Sequence, residues 1–157
     1  MILNEAESFQ DVRYLINLGS DDFQLSFVGL PRKTLLPAGT ALIRLDFPIV
    51  FGVFMKVWWV EPDVWRRIVQ ASDGSAASVR TECQRRLALP EASKNLRTQV
   101  FEIELTSAAF GWKGKTSALF GKPGGEEQVY LPNLSKGSGP YRSDFARLHY
   151  TYTLPDS

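Results

Sequence analysis

Apolar positions along this chain mix a helical and a two-residue period as far as Pro90 and keep the two-residue period from about Arg97, which predicts helices among strands early and strands late. Phe9, Val12 and Ile16 stand at helical spacing behind Ser8, which forms with Asp11 a capping box with a shortened acid; Gly19 is the expected stop. Phe23, Leu25 and Phe27 then alternate with Gln24 and Ser26 as a strand does. Leu36-Pro37-Ala38-Gly39-Thr40 makes a turn into a second strand, with Ile43 and Leu45 on one face and Arg44 on the other. Residues 54–60 read as a further strand, rich in aromatic and β-branched types. Glu61-Pro62-Asp63 opens a helix with Pro in its first turn and an apolar stripe of Val64, Trp65, Ile68 and Val69; Arg66 and Arg67 are expected in water. After Asp73-Gly74-Ser75 comes another helix, lined by Ala76, Val79, Cys83 and Leu87 and ended by Pro90. On it Glu82 and Arg86 are spaced as an exposed pair, and Arg80, Arg85 and Arg86 read as a solvated face.

From about Arg97 the pattern is that of strands. Gln99, Phe101, Ile103 and Leu105 share the inward face, opposite Thr98, Val100, Glu102 and Glu104. Residues 128–131 and 145–154 are further strands, and residues 133–141 a polar surface loop. His149 falls on the polar face of the last strand with Arg147, Thr151 and Thr153, the place of a surface or edge histidine. Helices early and strands late indicate an α+β chain rather than a doubly wound sheet. With no linker or repeat, residues 1–157 read as one domain, a helix and strand in 1–35 followed by a core in 36–157.

Composition narrows the function classes by exclusion. The 18 basic and 17 acidic residues nearly cancel, so nucleic acid and anionic membranes are not indicated. Cys83 is the only cysteine, which excludes an internal disulfide and a cysteine-rich metal site. His149 is the only histidine, which excludes a histidine metal cluster; no metal is implied. No apolar run approaches a membrane span, and the acidic start is not that of a secretory signal peptide. The expectation is a soluble protein, cytoplasmic or delivered as an effector by another route. The 4 Trp, 5 Tyr and 10 Phe supply a core and leave rings for a groove that takes a flat ligand.

The segment Phe120-Gly121-Lys122-Pro123-Gly124-Gly125-Glu126-Glu127-Gln128 concentrates turn formers directly before a strand. As a bare pattern it is a tight turn, and its spacing is not that of a phosphate-binding P-loop. Together with Val100-Phe101-Glu102-Ile103 and the following Val129-Tyr130-Leu131-Pro132, it resembles the C-terminal half of NAD glycohydrolase toxin domains of the tuberculosis necrotizing toxin type. Leu36-Pro37-Ala38-Gly39-Thr40 and Arg44 match, in order, an earlier Leu-Pro-x-Gly-Thr turn and Arg-bearing strand of that family.

The resemblance implies an ADP-ribosyltransferase-like split β-sheet, with flanking helices in the N-terminal half and an NAD cleft within 36–157. It implies an enzyme that consumes NAD⁺ by breaking the nicotinamide–ribose bond, as a glycohydrolase or an ADP-ribosyltransferase. Gln128 would match the active-site Gln that hydrogen-bonds the ribose, and Arg44 the residue that grips the phosphates through its planar fork. Trp58 or Trp59 would stack on nicotinamide, Gly124 and Gly125 would line the cleft, and Gln99 and Glu126 would assist. A cognate immunity protein and a macromolecular ADP-ribose acceptor are the partners that follow. The residues themselves leave alternatives open. Arg44 suits a solvated strand position, Gln99 a satisfied buried amide, and Glu126 a loop carboxylate in water. The family's Tyr-His pair is replaced by Thr98 and Gln99, and Gln128 stands where many transferases have an acid. A catalytically silent binding module that keeps the same fold is therefore the alternative.

Overall fold

The structure, a computed structural model, describes residues 2–12, 27–46, 58–87, 99–118, 122–134 and 144–153. The described residues form, in chain order, α1 (Phe9–Val12), β1 (Arg32–Leu36), β2 (Ala41–Asp46), β3 (Trp58–Trp59), α2 (Pro62–Ala71), α3 (Ala76–Arg86), β4 (Gln99–Leu105), β5 (Ala109–Lys115), β6 (Glu127–Tyr130) and β7 (Ala146–Thr153). The strands form two antiparallel sheets, β1-β5-β6-β3 and β2-β4-β7. Just past β3, Val60 exchanges both backbone hydrogen bonds with Ile43 of β2, at 2.8 and 2.9 Å. This bridge joins the two sheets edge to edge. The expected mixture of helices and antiparallel sheet matches this architecture, and among the described residues the helices lie before residue 87, with β1 to β3 between α1 and α2.

Both longer helices form where their stripes predict. Pro62 stands in the first turn of α2, where its missing N–H costs no helical bond, and Val64, Trp65 and Ile68 are buried. Ser75 caps α3 by accepting from the Ser78 N–H at 3.1 Å, and Ala76, Val79 and Cys83 go inward. Residues 88–90, with the expected stop at Pro90, lie outside the described segments. At α1 the capping box closes: Ser8 N–H donates to Asp11 Oδ2 at 2.8 Å and Asp11 N–H to Ser8 Oγ at 3.2 Å. The Ser8 backbone and hydroxyl donors hold the Asp11 carboxyl below its ordinary range. The expected Ile16, Gly19 and the strand before Phe27 lie outside the described residues.

Two apolar cores result. One joins the helices to the first sheet: Val64, Ile68, Val79 and Cys83 pack with Trp58, Trp112 and Tyr130. The Tyr130 hydroxyl donates to Val12 O at 2.6 Å and so ties α1 to this layer. The other lies between the sheets and holds Leu36, Leu42, Trp59, Ile103, Leu105 and Val129. Neighbouring Trp58 and Trp59 enter different cores because successive side chains of a strand take opposite faces.

One local expectation needs correction, and two strands were not predicted. The second face of β4 is not simply polar and wet: Val100 is buried in the helix-side core and Glu102 is buried against His149, while Glu104 stays partly exposed. β1 and β5 escape period-two reading. β1 is an edge strand with only Leu36 buried, and β5 carries Gly111 and Gly114 where a strand ordinarily carries side chains. At Gly114 a Cβ would stand 2.8 Å from the Phe27 ring, so this glycine admits the aromatic ring and not a bend.

Candidate functional site

Residues 122–128 leave β5 through Thr116 and return as β6. Thr116 organises the turn: its N–H and Oγ1 both donate to Glu126 O at 2.9 Å, and its own carbonyl accepts from Gly125 N–H at 2.9 Å. The turn is also docked on the end of α3. Gly124 N–H donates to Arg85 O at 2.9 Å and Glu126 N–H to Arg86 O at 3.2 Å, which satisfies helix-terminal carbonyls that otherwise need water. Gly124 has φ +68°, and a Cβ there would lie 2.6 Å from both the Thr116 and Ser117 carbonyl oxygens. Glycine is therefore required at 124 on two counts, conformation and space. Gly125, at φ +106°, faces open space.

The Glu126 side chain turns toward the helices. Arg67 of α2 donates through Nη2 to Oε1 at 3.0 Å and through Nε at 3.2 Å; Arg86 of α3 donates through Nη1 to Oε2 at 3.2 Å. The carboxylate side chain is 11% exposed while Arg67 is 50% exposed, so the pair is closed on one side and wet on the other. Each guanidinium has a second acid, Asp63 for Arg67 at 3.7 Å and Glu82 for Arg86 at 2.9 Å. Hydrogen bonding to Glu126 pushes the Arg67 guanidinium further up; for Arg86 the bond to Glu82 leads and Glu126 adds to it against burial.

This corrects two readings at once. Glu126 is not a loop carboxylate in water, and Arg67 and Arg86 are not simply solvated. A sequence signal for the arginines does exist: each follows a buried stripe position by three residues, Arg67 after Val64 and Arg86 after Cys83, which puts both beside the packed face. Nothing in their spacing identifies a carboxylate that arrives 59 residues after Arg67 and 40 after Arg86.

Gln128 is 4% exposed and sits opposite Gly114, on the face of β6 that also carries Tyr130. Trp58 is paired with Tyr130 and belongs to that same helix-covered face, its ring 5.1 Å from the phenol ring. Glu126, Gln128, Gly124 and Trp58 thus lie on the helix side of the first sheet. Arg44 lies elsewhere. Its guanidinium is stacked between rings, 5.1 Å from Trp59 and 5.7 Å from Phe101, in β2 of the second sheet and on the side that faces the inter-sheet core. It is 5% exposed, so it is not a solvated strand residue. The Trp59 indole N–H, also buried, makes no hydrogen bond among the described residues. Gln99 begins β4, its Cα opposite Asp46 and Thr153. The expected residues therefore form two groups, Gln128 with Glu126, Trp58 and the glycines, and Arg44 with Trp59.

His149 is also more than an edge histidine. Ile103 pairs with Leu148 and Glu102 with Tyr150, so His149 is the extra residue of a β-bulge, and its Nδ1 lies 2.6 Å from Glu102 Oε2. Glu102 is 8% exposed, and the imidazole meets it from the solvent side. Among the described residues no cluster of His, Cys, Asp and Glu has a metal-binding arrangement, and no helix is long and apolar enough to cross a membrane.

No family model and no curated protein matches the chain. Its fold is similar to that of a solved structure, Rhs1-CT in complex with cognate immunity protein RhsI1. The match has a TM-score of 0.51 and 14% identity over 79% of this chain and 81% of that one. Tne2, solved in complex with Tni2, matches with a TM-score of 0.46 and 15% identity over 84% of this chain and 99% of that one.

Proposed function

We propose that this chain is a toxin-type enzyme that breaks the nicotinamide–ribose bond of NAD⁺ and is held in check by a cognate immunity protein. The observation that carries the toxin reading is the fold shared with Rhs1-CT, a domain solved with its own immunity protein. Such a partner is needed where a domain harms the cell that makes it. The NAD⁺ reading is supported by the order of the Leu-Pro-x-Gly-Thr turn, Arg44, the Gly-Gly turn and Gln128.

The chemistry suits a site with few titratable groups. When the glycosidic bond breaks, its electron pair goes to the pyridinium nitrogen, and nicotinamide leaves neutral. No acid is needed to protonate it. The ribose C1′ becomes oxocarbenium-like and is captured by water, which gives up a proton, or by a nucleophile on a macromolecule. In this reading the Gln128 amide fixes a ribose hydroxyl and the Trp58 ring of the same face covers the nicotinamide; the phosphate role of Arg44 and the stacking role of Trp59, which form the other group, rest on the family resemblance alone.

Incubation of the purified chain with NAD⁺, following nicotinamide and ADP-ribose by chromatography, tests this. We expect turnover by the wild type and a loss of about 100-fold or more for Gln128→Ala, the range for removing a hydrogen-bonding group from such a transition state. Free ADP-ribose identifies a glycohydrolase, and a labelled macromolecule a transferase. Absence of turnover would instead sink the NAD⁺-cleaving reading and leave the silent binding module as the alternative. Arg44→Gln is expected to raise KM; an unchanged KM would confine the site to the helix side of the first sheet.

A further inference from the structure

We infer that Glu126 is a positioning residue: clasped by Arg67 and Arg86, it seats the turn at 124–128 on the two helices so that Gln128 enters β6 in one orientation. The inference rests on the proposal that Gln128 acts on the ribose, but its structural part stands independently of that proposal.

Two separate sets of bonds converge on the same turn. The backbone set runs from Gly124 and Glu126 N–H to the last carbonyls of α3, and from Thr116 to Glu126 O. The side-chain set gives each Glu126 carboxylate oxygen a guanidinium from a different helix, at 3.0 and 3.2 Å. Glu127 completes the arrangement on the opposite face of β6, where it pairs with Arg32 at 3.2 Å and Lys113 at 3.6 Å. The entry to β6 is thus pinned on both faces, and Gln128 is the next residue.

The same geometry argues against Glu126 as the group that stabilises the cationic ribose. A carboxylate between two guanidiniums has most of its field cancelled at a distance, so it offers a developing cation little. What it offers is rigidity, because charge-assisted bonds from two helices fix its position, and Arg86 is itself hydrogen-bonded to Glu82 at 2.9 Å. A shift of about 1 Å in a substrate-positioning group costs up to ~100-fold in rate, so a seat of this kind matters to turnover without touching the substrate.

The test pairs amide hydrogen exchange with steady-state kinetics on Glu126→Gln, Arg86→Gln and the conservative Arg86→Lys, which serves if either of the others fails to fold. We expect the Gly124 and Glu126 amides to exchange roughly ten-fold faster in Glu126→Gln and Arg86→Gln, with the Ile103 amide unchanged. Arg86→Lys should fall between them and wild type. Nicotinamide release should track exchange, with kcat lowered about ten-fold and KM moved less than about two-fold. Loss of turnover in Glu126→Gln with full amide protection would overturn the inference, since Glu126 would then act on the substrate itself. Unchanged exchange in both Gln variants would overturn it too. If the wild type releases no nicotinamide, the NAD⁺ reading fails, and exchange alone decides whether the clasp seats the turn.

Discussion

Glu126 and Glu102 are buried to the same degree, at 9% and 8% exposure, yet they are held in different ways. Glu126, at the entry to the first sheet, faces two guanidiniums contributed by helices distant in sequence. Glu102, in the middle strand of the second sheet, faces one imidazole at a bulge of the adjacent strand. Arginine is charged at any working pH and presents a planar fork, so it suits a permanent clasp. An imidazole gives a charge pair only when protonated and otherwise a single hydrogen bond. The difference teaches that burial of a carboxylate says little about its task. Its partners decide whether it anchors a segment, as Glu126 does, or shares one contact between neighbouring strands.

Substitutions can break this contrast in order of expected effect. Gly124→Ala should be the most damaging, because it removes the seat of Glu126 without touching a charge: positive φ and two carbonyl oxygens at 2.6 Å imply about 2–4 kcal/mol, read as a fall in the urea midpoint. Next, His149→Ala leaves Glu102 buried without its imidazole and should cost about 1–2 kcal/mol. The double variant Glu102→Leu with His149→Ala should recover most of that loss, since an apolar replacement leaves nothing unsatisfied. Failure to recover would mean that the bulge, and not the pair, sets the stability there.

A smaller effect concerns acid. The Arg86 and Arg85 guanidiniums hold the Glu82 carboxyl below its ordinary range. A depressed native value adds stability at neutral pH that is lost as pH falls below the ordinary carboxylate range and through the lowered one. Glu82→Gln should therefore flatten the acid limb of the stability curve, which chemical denaturation at stepped pH would show. Least of all, Arg32→Ala should change stability by less than about 0.5 kcal/mol, because the Arg32–Glu127 pair is largely exposed.

Much of the fold was legible where a side-chain period and a cap coincide. The stripe of Val64, Trp65 and Ile68 behind Pro62 located α2, and that of Ala76, Val79 and Cys83 behind Ser75 located α3. β2 and β4 were legible from alternation, though the burial of β4 on both faces was not, because alternation reports one neighbour layer and not two. β1 and β5 were hidden for opposite reasons, an edge strand that needs few apolar residues and an inner strand that replaces them with glycine. Of the candidate site, the turn before β6 and the residue types were readable, while the partners of Glu126 and the grouping of Trp58 with Gln128 and Trp59 with Arg44 were not.

By itself the sequence determined where α2 and α3 lie, that a single cysteine and a single histidine allow no internal disulfide and no histidine cluster, and that glycines 124 and 125 stand in the turn before β6. These follow from local properties: propensity, spacing and the presence or absence of a side chain type. Tertiary structure alone decided that the turn docks on the end of α3, that Glu126 lies between Arg67 and Arg86, and that Arg44 is stacked between Trp59 and Phe101. The physical reason is sequence distance. Arg67 and Glu126 are 59 residues apart, and a pattern read over a few turns carries no term for a contact that only the packing of helices on the first sheet creates.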